Sequence, residues 1–293
     1  MIEDVPLTEL VPLIDWTFFF HAWEMKGLYP QLLDDPHSGP AARDLFAAAQ
    51  KLLGEIVAGK LLQARAVYGF WPAQAEGDDV ALFADEARAQ PAQRFPMLRQ
   101  QEAADKPRLS LADFVAPAGG KDHLGAFAIT AGLGADVLVA KYERALDDYH
   151  AIMVKALADR LAEAGAEWLH QRIRREWGLQ ATPLSNDDLI HERYRGIRPA
   201  FGYPACPDHT PKRKLFELLD APKAGITLTE SCAMLPAASV SGLVFHHPQA
   251  TYFNVGHVDR DQVADYAARS GMDVKEMEKW LGPNLAYDPS APT

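Results

Sequence analysis

Cys206-Pro207-Asp208-His209 is the one tight Cys/His pair in the chain, and zinc is the first chemistry it suggests. Zinc takes four ligands in tetrahedral geometry, usually as two such pairs. Cys232, His246, His247 and His257 are available to complete a set, but none forms a second pair of the right spacing. His246 and His247 are adjacent, so on a strand they point to opposite faces, and Pro207 stiffens the only pair there is. The spacing therefore argues against structural zinc. A nucleophile fares no better. The residue two before Ser239 is Ala237, so no G-x-S-x-G elbow forms, and Cys206 carries no local protease signature. Neither a dinucleotide fingerprint nor a P-loop occurs.

The same region offers a second kind of chemistry, binding through main-chain groups. Arg198-Pro199-Ala200-Phe201-Gly202-Tyr203-Pro204 has two prolines that fix the chain and one glycine that permits close approach. Arg198 can grip a carboxylate with two parallel hydrogen bonds. The plain alternative is a structural crossover loop with Arg198 in a salt bridge, and the residues alone leave both open.

The elements that must position this loop belong to a 293-residue chain with a formal net charge of -11. The acidity disfavours a general nucleic-acid binder, which needs a basic face, and suits either solubility or a cationic ligand. Two cysteines make no disulfide framework. The start, "MIEDVPLTEL", lacks a basic segment followed by an apolar core, and no run is long enough to span a bilayer. A cytoplasmic protein without membrane or nucleic-acid partners is expected.

Periodicity supplies the rest. Asp15 or Thr17 caps a helix carrying "WTFFFHAW", and Pro40 opens another whose stripe is Leu45, Ala49, Leu52, Leu53 and Ile56. Alternation on either side of "GDD" marks a hairpin. Further strands are expected in "PRLSLADFVAPAGG", in "HLGAFAITAG", in "ITLTESCAM" paired with "ASVSGLVFHH", and in "TYFNVGHV". Residues 136–177 contain no proline and read as one long helix that breaks near Gly165, its stripe running Leu138, Tyr142, Ala145, Tyr149, Ile152, Ala156, Leu157. A helix in "DDLIHERYRGI" closes at Gly196, and another begins at Pro211. Asp259 or Asp261 caps the first of two final helices. The expected fold is α+β: a single domain, 1–293, with a twisted antiparallel sheet flanked by helices.

"ERYRGIRPAFGYPACPDHT" resembles the signature of the activation domain of cobalamin-dependent methionine synthase. The likeness extends to "LIDWTFFFHAW", "LADFVAPAGGKDHLGAFAITAG", "DDYHAIMVKALADRLAEAGAEWLH" and "LTESCAMLPAASVSGLVFHHPQATYFNVG", and so covers nearly the whole chain. It implies an α+β domain that binds S-adenosyl-L-methionine. The domain would supply the methyl group for reductive remethylation of cob(II)alamin, with flavodoxin or another donor providing the electron. The cobalamin would be carried by a partner domain or subunit, since no D-x-H-x-x-G loop occurs; "DDYHAIM" lacks the glycine. No homocysteine or folate barrel is present either, so the chain is not expected to make methionine alone. The alternative is a docking module for a cobalamin protein that has lost methyl-donor binding.

The resemblance places ligand contacts at Asp15, Arg198, Ala200, Gly202, Tyr203, Tyr252 and Phe253, with Glu192 a weaker candidate. Arg198 would take the ligand carboxylate, Asp15 a cationic or hydroxyl group, the backbone of residues 200–202 the adenine edge, and a tyrosine ring face the sulfonium. Many family members carry Tyr-Tyr where this chain has Tyr252-Phe253, and His246-His247 stands in place of a commoner Ser-His. Asp159 and Glu163, four apart on a helix, share one face. Either they form a solvated acidic face or, as the resemblance implies, they receive the cobalamin-domain histidine when it leaves the metal.

Overall fold

The computed structural model describes residues 1–101, 107–182, 184–185, 188–189 and 193–290. It is α+β. The main sheet is antiparallel and six-stranded, with the order β4-β3-β2-β5-β8 and β1 paired to β2. Its strands are β1 (Ile2–Val5), β2 (Gln63–Glu76), β3 (Asp79–Phe83), β4 (Pro91–Pro96), β5 (Asp122–Leu133) and β8 (Ser239–Val244). A separate two-stranded sheet joins β6 (Thr227–Leu228) to β7 (Met234–Leu235). Contacts divide the chain into two compact units. The first is Met1–Val67, Ala128–Tyr194 and Asp220–Val240; the second is Tyr68–Phe127, Arg195–Leu219 and Ser241–Thr293.

The first unit carries most of the helical mass. Helix α1 (Leu7–Leu10) and a 3-10 turn lead to α2 (Trp16–Ala22), where Asp15 accepts from the Thr17 N–H at 2.9 Å. The aromatic run is there for packing: Phe19 and Phe20 are fully buried. Helix α3 (Gly39–Gly59) buries Leu45, Ala49, Leu52, Leu53 and Ile56, the stripe read from the sequence. No helix is long and apolar enough to cross a membrane among the described residues.

The 136–177 region departs from expectation. It is two helices, α4 (Ala135–Arg144) and α5 (Asp148–Glu176), broken at Leu146 and not at Gly165. Leu146 takes a left-handed φ of 57°, and Asp147 then caps α5 by accepting from the His150 N–H at 3.0 Å. The break resets the register, so Tyr149 and Ile152 face solvent, and Met153, Val154, Leu157 and Leu161 form the buried stripe. Gly165 does a different job. A methyl there would meet Ile129 Cδ1 at 2.7 Å, so the glycine lets α5 lie close on β5. At its end, α5 holds a buried Arg174–Glu167 pair at 3.2 Å. Arg174 also lies over the Tyr194 ring at 3.8 Å, and the Tyr194 hydroxyl donates to Glu167.

The second unit contains the hairpin at "GDD": β2 and β3 pair through Glu76↔Asp79 around a left-handed Gly77. Two expected strands are absent. Residues 111–114 form a 3-10 turn, because Ser110 and Asp113 make a reciprocal capping box that competes with extension. Residues 251–257 lie in no sheet ladder among the described residues, Gly256 taking a left-handed φ of 75°, and Val258 makes only an isolated bridge to Leu285. In the first unit "ITLTESCAM" pairs within itself, as β6 and β7, and leaves β8 to the main sheet. Helix α6 (Lys212–Leu219) follows Pro211. The chain closes with α7 (Arg260–Ser270), capped by Asp259, and α8 (Val274–Trp280), capped by Asp273. These pack Val255, Val258, Val263, Tyr266, Met277 and Leu281 into one apolar cluster. Of the expected helix at 187–197, residues 187 and 190–192 lie outside the described residues; 188–189 are helical, but 193–196 are irregular and Ile197 bridges to Phe245, so no helix closes at Gly196.

Candidate functional site

The 198–210 loop is held at its start by β8. Ile197 and Phe245 exchange backbone hydrogen bonds of 3.0 and 2.9 Å, and the Leu243 N–H donates to the Pro199 carbonyl at 3.1 Å. That approach requires Gly242, where a Cβ would stand 2.5 Å from the Pro199 oxygen. Proline at 199 has no N–H to waste, which suits a segment that pairs through carbonyls.

Beyond Pro199 the loop closes on itself. The Ala200 carbonyl accepts from the Tyr203 N–H at 3.2 Å and from Cys206 Sγ at 3.1 Å. Gly202 N–H donates to the Cys206 carbonyl at 2.8 Å, and Cys206 N–H to Tyr203 at 2.9 Å. Gly202 has φ 96°, and its Cα lies against the His209 ring. Phe201 anchors the turn, buried and stacked on Phe95 at 5.7 Å. Tyr203 points outward, 60% exposed.

The 251–257 segment braces the loop from the side. The Arg198 N–H donates to the Tyr252 hydroxyl at 3.0 Å, and the Val255 N–H donates to the Pro204 carbonyl at 2.8 Å. Tyr252 remains 42% exposed. Phe253 turns the other way, edge-on to Phe114 at 6.3 Å and against the C-terminal apolar cluster.

The structure therefore gathers Arg198, Ala200, Gly202, Tyr203 and Tyr252 at one loop, with the Phe253 ring directed into packing. Asp15, Asp159 and Glu163 belong to the first unit. Asp159 is exposed and paired with its neighbour Arg160, whose guanidinium lies over Phe18; Glu163 follows one turn on, half-buried. Glu192 lies outside the described residues. Of the main-chain groups read as open to a ligand, the Ala200 carbonyl and Gly202 N–H are committed within the loop, while the Ala200 and Phe201 N–H groups carry no hydrogen bond among the described residues.

The Cys206/His209 pair has separate occupations. The Cys206 thiol donates to Ala200, and burial, with the Asp208 charge, pushes its pKa up. His209 Nδ1 lies 3.0 Å from Lys212 Nζ and can accept from it. His246 Nε2 meets Asp122 Oδ1 at 2.9 Å, and His247 stacks on Phe114 at 6.1 Å. Two further residues carry no obvious sequence signal. Asp208, only 1% exposed, accepts from Thr210 N–H (2.8 Å), Thr210 Oγ1 (2.7 Å) and the Tyr266 hydroxyl (3.1 Å). The spacing Asp-x-Thr could have flagged the local turn, but nothing in it announces burial or Tyr266.

Burial, and then the Lys212 ammonium, hold the His209 pKa below the ordinary histidine value. The unfolded chain takes up this proton near pH ~6.5, and the folded loop resists it. The His209 contribution is thus complete above that pH and is lost as pH falls through the lower, folded value. The urea midpoint should decline as pH falls below about 6.5, with a shallower slope in His209→Gln. An identical slope in the variant would place the proton elsewhere.

A family model described as the activation domain of vitamin B12-dependent methionine synthase matches residues 6–271. A solved structure, the MetH reactivation domain bound to AdoHcy, superposes with a TM-score of 0.94. It is 48% identical in sequence, with 97% of this chain and 90% of that chain covered.

Proposed function

This chain belongs to the activation-domain family of vitamin B12-dependent methionine synthases, and we propose that it binds S-adenosylmethionine at the 198–203 loop. It then supplies the methyl group that returns oxidised cobalamin to its methylated state. The observation that carries this reading is the pinned loop: Arg198 is tied through its own N–H to Tyr252, beside two uncommitted amides at Ala200 and Phe201. A guanidinium fixed at its backbone presents a planar fork to the ligand carboxylate at reduced entropic cost. The free amides suit the adenine edge. The exposed rings of Tyr203 and Tyr252 suit the sulfonium, which prefers an aromatic face.

Cobalamin is carried by a partner domain or subunit, which meets this chain at Asp159 and Glu163 on α5. One electron, from flavodoxin or another cytoplasmic donor, accompanies methyl transfer. The chain acts as one functional module of a methyltransferase and does not make methionine alone. Calorimetric titration of the chain with S-adenosylmethionine should give a saturable 1:1 isotherm. Absence of heat and of any thermal shift at millimolar ligand would overturn the reading.

A further inference from the structure

Asp208 is a buried carboxylate that the proposed function leaves without a role. Its three hydrogen-bond donors are all neutral: the Thr210 N–H, the Thr210 hydroxyl and the Tyr266 hydroxyl. Among the described residues it makes no ion pair. A buried carboxylate is normally paired with a cation, because desolvating a charge is costly. Three neutral donors satisfy its lone pairs without cancelling its charge.

Its place in the fold directs that charge at the loop. Asp208 lies two residues after Cys206, whose Sγ rests on the Ala200 carbonyl, and one before His209, whose ring lies against Gly202. Its influence is felt on both sides. It helps hold the Cys206 thiol protonated, after burial. It likewise raises the Tyr266 hydroxyl, again after burial. Lys214 also feels it; burial lowers that ammonium's pKa while Asp79 and Asp208 oppose the shift. Lys212, Lys214 and Arg269, whose guanidinium lies 5.5 Å from the centre of the Tyr266 ring, are nearby cations that weaken the field.

We propose that Asp208 is a specificity-determining residue, a buried negative charge behind the ligand loop that favours the cationic methyl donor over its neutral thioether product. The inference rests on the loop being the methyl-donor site. S-Adenosylmethionine and S-adenosylhomocysteine share their carboxylate, ammonium and adenosine, and differ by one methyl and one positive charge at sulfur. Contacts to the shared groups cannot separate them by charge; a fixed field can. Once the methyl leaves, the product loses that attraction, which aids its release.

The test is the ratio of the two dissociation constants, measured by titrating the full chain with each ligand. A unit charge about 10 Å from a sulfonium, at an effective dielectric of about 20, changes affinity roughly 10-fold. Asp208→Asn should therefore lower the preference for S-adenosylmethionine over S-adenosylhomocysteine about 3- to 10-fold. Tyr266→Phe keeps the charge and should leave the ratio alone, although it costs stability. Lys214→Met removes a diluting cation and should raise the ratio, so the question remains decidable if Asp208→Asn fails to fold. Equal weakening of both ligands by Asp208→Asn would make the residue merely structural and overturn the inference. So would an unmoved ratio in both Asp208→Asn and Lys214→Met. If the wild type binds neither ligand, the proposed function falls and takes this inference with it. Wild-type binding with an insensitive ratio defeats this inference alone.

Discussion

Arg198→Ala should weaken S-adenosylmethionine binding roughly 100-fold. The size follows from what the side chain is asked to do. Two charge-assisted hydrogen bonds to one carboxylate, in a partly desolvated site, form the strongest polar contact this loop can offer. Their removal also leaves the ligand carboxylate without a counter-charge. Alanine keeps the backbone N–H bond of this residue to Tyr252, so that brace on the loop survives the change. Arg198→Lys should recover only part of the loss, since an ammonium restores charge but not the fork. Titration of wild type and both variants decides it. An alanine variant that binds as tightly as wild type would remove Arg198 from the site while leaving the loop a candidate.

The second large effect should come from a single methyl. Gly202→Ala places a Cβ 2.1 Å from His209 Cε1, at a φ of 96° that alanine adopts only with strain. The His209 ring cannot simply swing aside, because it is half-buried and its Nδ1 lies beside Lys212 Nζ. Either the ring or the turn must move, and the turn contains the Gly202-to-Cys206 hydrogen bond that closes the loop. A cost of about 2–4 kcal/mol is expected, in the range of overpacking combined with backbone strain. It should appear in the urea midpoint, with ligand binding lost in parallel. Adding His209→Ala should return the steric share and leave the strain. A Gly202→Ala protein of wild-type stability would mean the turn is more pliant than its close contacts imply.

How much of this was legible in the sequence depended on how far apart the partners lie. The β2–β3 hairpin was readable because alternation and turn are contiguous, and the α3 stripe because its residues share one face. The break at Leu146 was not. Gly165 looked like the weak point of a long helix, but a glycine can sit inside a helix where a strand packs closely, and Ile129 is 36 positions away in sequence. Leu146 breaks the helix with a φ no propensity scale would assign to leucine, helped by the Asp147 cap. "TYFNVGHV" alternates like a strand, yet it braces loops, with Arg198, Pro204, Gln100 and Asn284 among its partners, and touches a ladder only at the isolated Val258–Leu285 bridge. At the loop, the residue types leave main-chain binding and a structural crossover both open, and only the family resemblance points to a ligand. Asp208 escaped both, since the pair flanking it, Cys206 and His209, drew the reading toward metal chemistry. Only burial and the distant Tyr266 hydroxyl distinguish it.

The threading of the two units has a consequence for how the protein can be made and handled. Read from Met1 to Thr293, the chain changes units five times, after Val67, Phe127, Tyr194, Leu219 and Val240. Neither unit is a contiguous stretch, so neither can be expressed as a simple truncation. During synthesis the first unit lacks its final segment until Val240 has emerged, by which point two of the three segments of the second are already waiting. Assembly must therefore be late and dominated by pairings between remote parts of the chain, the regime of slow folding and exposure to aggregation. Cutting the backbone at one exposed turn would sever no whole unit from the other. A shuffled or permuted version would have to preserve every crossing.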